Sequence, residues 1–202
     1  MKLCGHRGLI GDSHDRKGSD MRKLVESTFV SLDGSIENPQ NWSPPYWDDE
    51  HRAYATKLLW DADALLLGRK TYEGFAQAWP PRAGADEFTD RMNAMPKYVA
   101  SSTLADAEMT WNATVLEGDT VDAIRRLKDE DGGTLLKFGT GELDRTLLEN
   151  GLVDEYHFWY FPVLAGGGQR LIDGIETTHL ELLDTARFKS GIVVHVLAPK
   201  PA

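Results

Sequence analysis

Two short segments carry residue types suited to gripping phosphate. Gly68-Arg69-Lys70-Thr71-Tyr72 follows the apolar run Ala64-Leu65-Leu66-Leu67 and precedes a stretch with helical spacing. Gly139-Thr140-Gly141-Glu142-Leu143 follows Leu135-Leu136-Lys137-Phe138 and opens another. A strand that stops at glycine and turns into a helix leaves free N–H groups at the positive end of the helix dipole, where anions bind. Arg69 and Lys70 add two cations at the first junction, and glycine permits close backbone approach at the second. Either junction alone also reads as an ordinary tight turn. Together, at the carboxyl ends of neighbouring parallel strands, they would hold the two ends of one extended cofactor. Neither is Gly-x-Gly-x-x-Gly, and the first strand ends in Ser31-Leu32-Asp33-Gly34. The sequence therefore predicts a dinucleotide-binding architecture other than the ordinary Rossmann fold.

A third segment, Asn41-Trp42-Ser43-Pro44-Pro45-Tyr46-Trp47-Asp48-Asp49-Glu50, offers three aromatic rings and three acids in a proline-bearing loop. Trp42 is a candidate stacking surface for a flat ring, and the acids are candidates to hold its polar edge or deliver a proton. The same residues also suit a loop packed on the core and an acidic helix start. A fourth segment, Gly151-Leu152-Val153-Asp154-Glu155-Tyr156, leads to Pro162-Val163-Leu164-Ala165-Gly166-Gly167-Gly168. Its acids would pair with the next strand or a partner chain, and its glycines permit an irregular loop.

These segments must be positioned by alternating elements. Strand patterns cover 24–30, 64–67, 98–101, 114–116 and 134–138, most of them continuous apolar runs that read as covered on both faces. Helical patterns cover 49–60, 71–78, 87–94, 121–130 and 143–150. Asp48 or Asp49 would cap the first helix and Thr120 the fourth, with Gly151 stopping the fifth. The last third is strand-like over 155–162, 180–188 and 192–197, with Lys189-Ser190-Gly191 as a hairpin turn. The fold class is α/β: a mixed, mostly parallel sheet flanked by helices, ending in an antiparallel hairpin. The strand Tyr156-His157-Phe158-Trp159-Tyr160-Phe161 has large rings on both faces, and one face is a candidate homodimer interface.

The chain has 202 residues, with 32 acidic against 22 basic residues and a net charge of −10. That length is one domain with a full core. The charge disfavours a general nucleic-acid binder but not a local seat for one anionic cofactor. No apolar run approaches the roughly 20 residues that span a bilayer, so no membrane role is expected. A single cysteine, Cys4, excludes an internal disulfide and suits a reducing cytoplasm. Residues 1–20 are glycine-rich and lack a signal-peptide core, so the domain is expected over 21–200 with a disordered extension before it. The irregular spacing of Cys4, His6 and His14 argues against a metal site.

The ordered set Ser31-Leu32-Asp33-Gly34, Leu66-Leu67-Gly68-Arg69-Lys70-Thr71-Tyr72-Glu73, Pro96-Lys97-Tyr98-Val99-Ala100-Ser101-Ser102-Thr103-Leu104 and Gly139-Thr140-Gly141-Glu142-Leu143, followed by the fourth segment, resembles the dihydrofolate-reductase-like superfamily. More closely, it is similar to stand-alone relatives of the reductase (C-terminal) domain of bifunctional riboflavin-biosynthesis deaminase–reductases, RibD. The resemblance covers about 21–197. It implies a reductase that takes a hydride from NADPH, with NADH not excluded. It implies that Gly68, Arg69, Lys70 and Thr71, with Gly139, Thr140, Gly141, Glu142 and Leu143, hold the cofactor phosphates. It places Ser101, Ser102 and Thr103 near the adenosine ribose and its 2′-phosphate, and Asp33 near nicotinamide and substrate. Asp33 and then Asp49 are the expected proton donors, with Asp33 and Trp42 facing the substrate.

Three departures bear on these roles. Many relatives carry Arg where this chain has Ser102, and a hydroxyl cannot replace a guanidinium clamp on a phosphate. Thr140 stands where folate reductases commonly have glycine. The deaminase motif Pro-Cys-x-x-Cys is absent. The favoured substrate class is the pathway pyrimidine 5-amino-6-(5-phosphoribosylamino)uracil. Dihydrofolate reduction and a non-catalytic nucleotide-binding module are the alternatives.

Overall fold

β1 (Leu24–Ser31) is buried along almost its whole length, as a central strand covered on both faces must be. It anchors a computed structural model that describes residues 21–106, 109–139, 141–171 and 173–200. The expectations that fall on residues 1–20, with Cys4, His6 and His14, and on Thr140 lie outside those residues.

From β1 the chain runs through two 3-10 turns (Pro39–Asn41 and Pro44–Tyr46) into α1 (Asp49–Asp61) and β2 (Ala62–Gly68). Next come α2 (Arg69–Ala78), α3 (Glu87–Ala94), β3 (Lys97–Ala100) and β4 (Ala113–Val115). The second half is α4 (Thr120–Asp129), β5 (Thr134–Phe138), α5 (Glu142–Glu149), β6 (Glu155–Phe161), β7 (Leu180–Arg187) and β8 (Val193–Pro199). The strands form one sheet in the order β4-β3-β2-β5-β1-β6-β8-β7. The first six are mutually parallel, and β8 and β7 add an antiparallel ribbon to β6. This is the α/β class expected from the sequence.

Side-chain alternation divides the core in two. Val25 and the partly buried Phe29 face the layer formed by Leu58 and Leu59 of α1, Tyr72 of α2 and Met92 of α3. Leu24 and Val30 face the layer formed by Ile124 and Leu127 of α4 and Leu147 of α5. The chain thus travels outward along the sheet with helices on one face and returns with helices on the other, as right-handed crossovers require. One consequence positions the site. β2 and β5 are parallel neighbours, yet α2 leaves toward one face and α5 toward the other. Their connections part above the sheet and open a crevice at the carboxyl ends of the strands.

Three details correct the sequence reading. α2 begins at Arg69, two residues earlier than the helical pattern predicts. α4 is capped by Asp119, not Thr120: the Asp119 backbone is extended and its carboxylate accepts the N–H groups of Val121 (2.9 Å) and Asp122 (3.1 Å). β6 offers no subunit interface, because it lies between β1 and β8. Tyr156 and Phe158 fill one core layer, and Trp159 and Phe161 fill the other. The acids before it pair within the chain, Asp154 with Lys128 (2.6 Å) and Glu155 with His157 (2.6 Å). No helix among the described residues is long and apolar enough to cross a membrane.

Candidate functional site

The two glycine junctions meet. Gly139 has φ +73°, a left-handed conformation that favours glycine, and a Cβ there would lie 3.2 Å from Thr71 Oγ1. A Cβ on Gly68 would touch Leu143 at 3.9 Å. The crevice above them is a cleft of about 620 Å³. Gly68, Arg69, Lys70 and Thr71 line one wall, with Ser101, Ser102 and Thr103 beyond them on the loop after β3. Gly139, Gly141, Glu142 and Leu143 line the other. The structure thus brings together every described residue of the expected phosphate-gripping set.

The donor chemistry of this cleft suits an anion. α2 follows Gly68 and α5 follows Gly141, N-cap residues with no side chain of their own to cap the helix, and only α5 has a carboxylate, Asp144, reaching back to its N-cap N–H. A Cβ on Gly141 would project into open space. Lys70 is exposed, and Arg69 is half-exposed and bonded to Glu73 at 3.1 Å. Ser101 Oγ is used locally, accepting the N–H of Thr103 (3.2 Å) and Leu104 (3.0 Å), which leaves the exposed Ser102 and Thr103 as the forward groups of that loop. These residues fit the phosphates of a dinucleotide.

Beneath Gly139 and Gly141 lies a buried ion pair. Lys137 Nζ donates to Asp144 Oδ1 at 2.5 Å and to the Gly139 carbonyl at 2.5 Å. Asp144 Oδ2 accepts the Gly141 N–H at 2.5 Å. Glu26 sits beside them, fully buried, with Thr28 donating to Oε1 at 3.2 Å. Burial pushes the Glu26 carboxyl up to about 8, helped by Asp144 and opposed by Lys137 and Thr28. Sequence reading missed Glu26, Lys137 and Asp144. The signal available was a single charge inside each of two otherwise uncharged strands.

A second cavity of about 530 Å³ continues past the start of α5, sharing Gly141, Glu142, Asp144 and Gln169 with the first. Arg145, Gly168, Arg170, Leu171 and Asp173 complete it. Arg145 donates to the Asp173 carbonyl (2.5 Å) and Arg170 to the Asp33 carbonyl. Of Arg82, Arg91 and Arg170, only Arg170 lines this cavity. Arg91 is spent on the carbonyls of Leu59 and Ala62, and Arg82 lies over Trp79.

Asp33 lines neither cavity, although its carbonyl accepts from Arg170, which lines this one, and its carboxylate is already engaged. Its carboxylate accepts from Ser31 Oγ (2.6 Å) and from the N–H groups of Ala165 and Gly166 (2.9 Å each). Those hydrogen bonds hold its carboxyl down at about 2. An acid so held is ionised at neutral pH and has no proton to give, which argues against it as donor. Its visible work is to tie the glycine loop after β6 to the loop after β1, together with Glu37, which accepts the Gln169 N–H at 3.0 Å.

The aromatic loop packs onto the end of β6. Trp42 meets Phe161 edge-on (5.3 Å between centroids) and donates its indole N–H to the Glu37 carbonyl (3.0 Å). Tyr46 donates to the Pro162 carbonyl (3.0 Å). The exposed ring is Trp47, stacked on His51 at 5.5 Å. Asp48 caps α1 by accepting the His51 N–H (2.8 Å), and Glu50 accepts the Lys189 N–H (2.6 Å). Asp49 is exposed in the first turn of α1. Neither Asp49 nor Trp42 lines either cavity.

Comparison with known proteins agrees with this geometry. The family model described as RibD C-terminal domain matches residues 22–194. YyaP of Bacillus subtilis (strain 168), an uncharacterized protein, is 28% identical over 176 residues, covering 85% of this chain and 92% of YyaP. A candidate riboflavin biosynthesis protein from Shewanella sp. PV-4 superposes with a TM-score of 0.68 at 21% identity, covering 89% of this chain and 99% of that one. A Thermotoga maritima diaminohydroxyphosphoribosylaminopyrimidine deaminase/5-amino-6-(5-phosphoribosylamino)uracil reductase superposes with a TM-score of 0.61 at 14% identity. That match covers 89% of this chain and 57% of the Thermotoga chain. At these identities the two structures speak for the fold.

Proposed function

The chain belongs to the RibD C-terminal domain family, and from that premise we propose that it is an NADPH-dependent reductase of a small, flat heterocycle. The observation that carries the reading is the meeting of two helix starts with glycine N-caps, after neighbouring parallel strands, in one cleft with Lys70 and Arg69. The loops after β3, β2, β5 and β1 follow one another along the sheet. Such a row suits an extended dinucleotide, with residues 101–103 toward its adenosine end and the starts of α2 and α5 on its phosphates.

When bound, the nicotinamide supplies a hydride from C4, and the chain supplies position, charge and exclusion of water. Arg69 and Lys70 stand in for the guanidinium that Ser102 does not provide to a 2′-phosphate. Gly139 and Gly141 let the backbone approach the phosphates. Asp33 acts as a positioning residue, holding the 165–166 backbone that leads to Gly168, Gln169 and Arg170 of the second cavity. With Asp33 ionised and Asp49 outside the cavities, the proton that follows the hydride comes from solvent.

The substrate class we favour is a pyrimidine of the kind the Thermotoga protein's description states, 5-amino-6-(5-phosphoribosylamino)uracil. Such a substrate carries its own phosphate, and Arg145 and Arg170 are the guanidiniums beside the cofactor seat that suit it. The test is a titration with NADPH and, separately, NADH, following tryptophan fluorescence, then turnover against pyrimidine and pterin panels. Saturable NADPH binding, weaker NADH binding and oxidation of NADPH by a pyrimidine are expected. Equal affinities would withdraw the 2′-phosphate role of Arg69 and Lys70. No binding by folded protein would overturn the cofactor reading, and turnover of dihydrofolate alone would move the substrate to a pterin.

A further inference from the structure

The buried acid beneath the phosphate turn has no part in hydride transfer. Glu26 is in register with Lys137 on β5 and with Tyr156 on β6, so the three stand side by side across the centre of the sheet. Asp144 reaches them from the first turn of α5. All four are at most 3% exposed. The ion pair they contain links two glycines: Lys137 holds the Gly139 carbonyl, and Asp144 holds the Gly141 N–H. Among the described residues, Glu26 Oε2 and the Tyr156 hydroxyl have no hydrogen-bond partner. Two full carboxylates here would face one ammonium in a medium that screens them poorly.

We propose that Glu26 is a positioning residue for the dinucleotide seat: as a neutral acid it leaves Lys137 to Asp144, so Gly139 and Gly141 stay clamped, and as a carboxylate it draws Lys137 away and loosens both glycines. The proposal rests on reading the cleft as that seat. Cofactor affinity then falls as pH rises through the Glu26 titration. The groups that face Glu26 agree on its protonation at neutral pH. Burial is the largest influence and raises its pKa, Asp144 of α5 raises it further, and Lys137 of β5 and Thr28 of β1 lower it without prevailing. Tyr156 of β6 is itself pushed up by burial, Glu26 and Asp144, so it stays a neutral phenol over the same range.

The experiment is NADPH titration of the full chain between about pH 6.5 and about pH 9, for wild type and Glu26→Gln, with the Gly141 amide followed by ¹⁵N NMR without cofactor over the same range. In wild type the affinity falls about tenfold and the Gly141 amide shifts with a midpoint near 8. In Glu26→Gln both stay flat. Glu26→Leu replaces the acid with an apolar group should the amide disturb folding, and the wild-type Gly141 titration needs no variant. A parallel fall of affinity in wild type and both variants overturns the proposal. So does a Gly141 amide that does not respond, or one that titrates while affinity stays flat. A Gly141 amide that titrates in wild type alone, in a chain that binds no NADPH at any pH, leaves the buried coupling standing and removes the dinucleotide reading instead.

Discussion

The helices of this protein start in two different ways. α1, α3 and α4 each begin behind an aspartate, Asp48, Asp86 and Asp119, whose carboxylate accepts first-turn N–H groups. α2 and α5 begin behind glycine, which has no side chain to cap with; at α5 the Asp144 carboxylate reaches back to the Gly141 N–H instead. An N-cap carboxylate or hydroxyl stabilises a helix by about 1 kcal/mol over alanine, so its omission in two of five places has a cost. Both omissions face the same cleft. An N-cap carboxylate would occupy the first-turn N–H groups, whereas glycine leaves those beyond the N-cap for a ligand, Asp144 taking only the Gly141 N–H at α5. α5 is secured from below instead, by a buried ion pair that grips both ends of its glycine turn and leaves the cleft side open. Stability and binding therefore divide along the set of starts: aspartate caps serve the fold, and glycine starts serve the ligand.

The division can be broken most severely from beneath. Asp144→Ala removes one partner of a fully buried pair and strands Lys137, and should cost about 3–5 kcal/mol in urea unfolding. A loss below about 1 kcal/mol would show that the pair is not what secures α5. Next in size is Gly139→Val, which puts a branched side chain at φ +73° and against Thr71 Oγ1. NADPH affinity should fall about a hundredfold, and an unchanged Kd would take the turn out of the binding site.

The third prediction concerns pH. Glu26 is neutral in the folded chain well above its ordinary 4.5, so the folded state keeps a proton that the unfolded chain releases. Its contribution is whole below 4.5 and is lost as pH rises through about 8. Stability should decline over that window by up to about 1.4 kcal/mol per pH unit, and Glu26→Gln should flatten the decline. Equal slopes in the two proteins would mean that another group carries the effect.

The smallest effects test the division itself. Gly141→Asp supplies the missing cap where the backbone is already extended and a Cβ meets nothing within 4 Å. It should stabilise the fold by a few tenths of a kcal/mol and weaken NADPH about tenfold. Asp86→Ala should do the reverse, lowering the unfolding midpoint and leaving NADPH affinity unchanged. Its pKa is lowered chiefly by the Thr89 N–H, so its stabilising effect is present above 3.8 and fades as pH falls below it. Binding and stability moving together in both variants would collapse the distinction.

Much of this was legible along the chain, for local reasons. The strand at 134–138 is bounded by glycines on both sides, and α3 lies between Asp86 and the residue before Pro96, so both were read to the residue. The glycine junctions were visible because a helix start and a positive φ are local demands. Other assignments failed where distant segments decided them. Asp33 reads as a free acid until residues 165 and 166 donate to it. The aromatic strand reads as two-faced until β1 and β8 cover its sides and both core layers its faces.

The sequence by itself determined the order of the elements, the α/β class and the two glycine helix starts. These follow from dihedral preferences and hydrophobic spacing, which act over a few residues. Only the tertiary structure decided that β2 and β5 lie side by side with their helices on opposite faces. It alone placed Glu26, Lys137 and Tyr156 in one buried row. Strand register joins residues more than a hundred positions apart, and the protonation of an acid depends on what surrounds it once the sheet has closed.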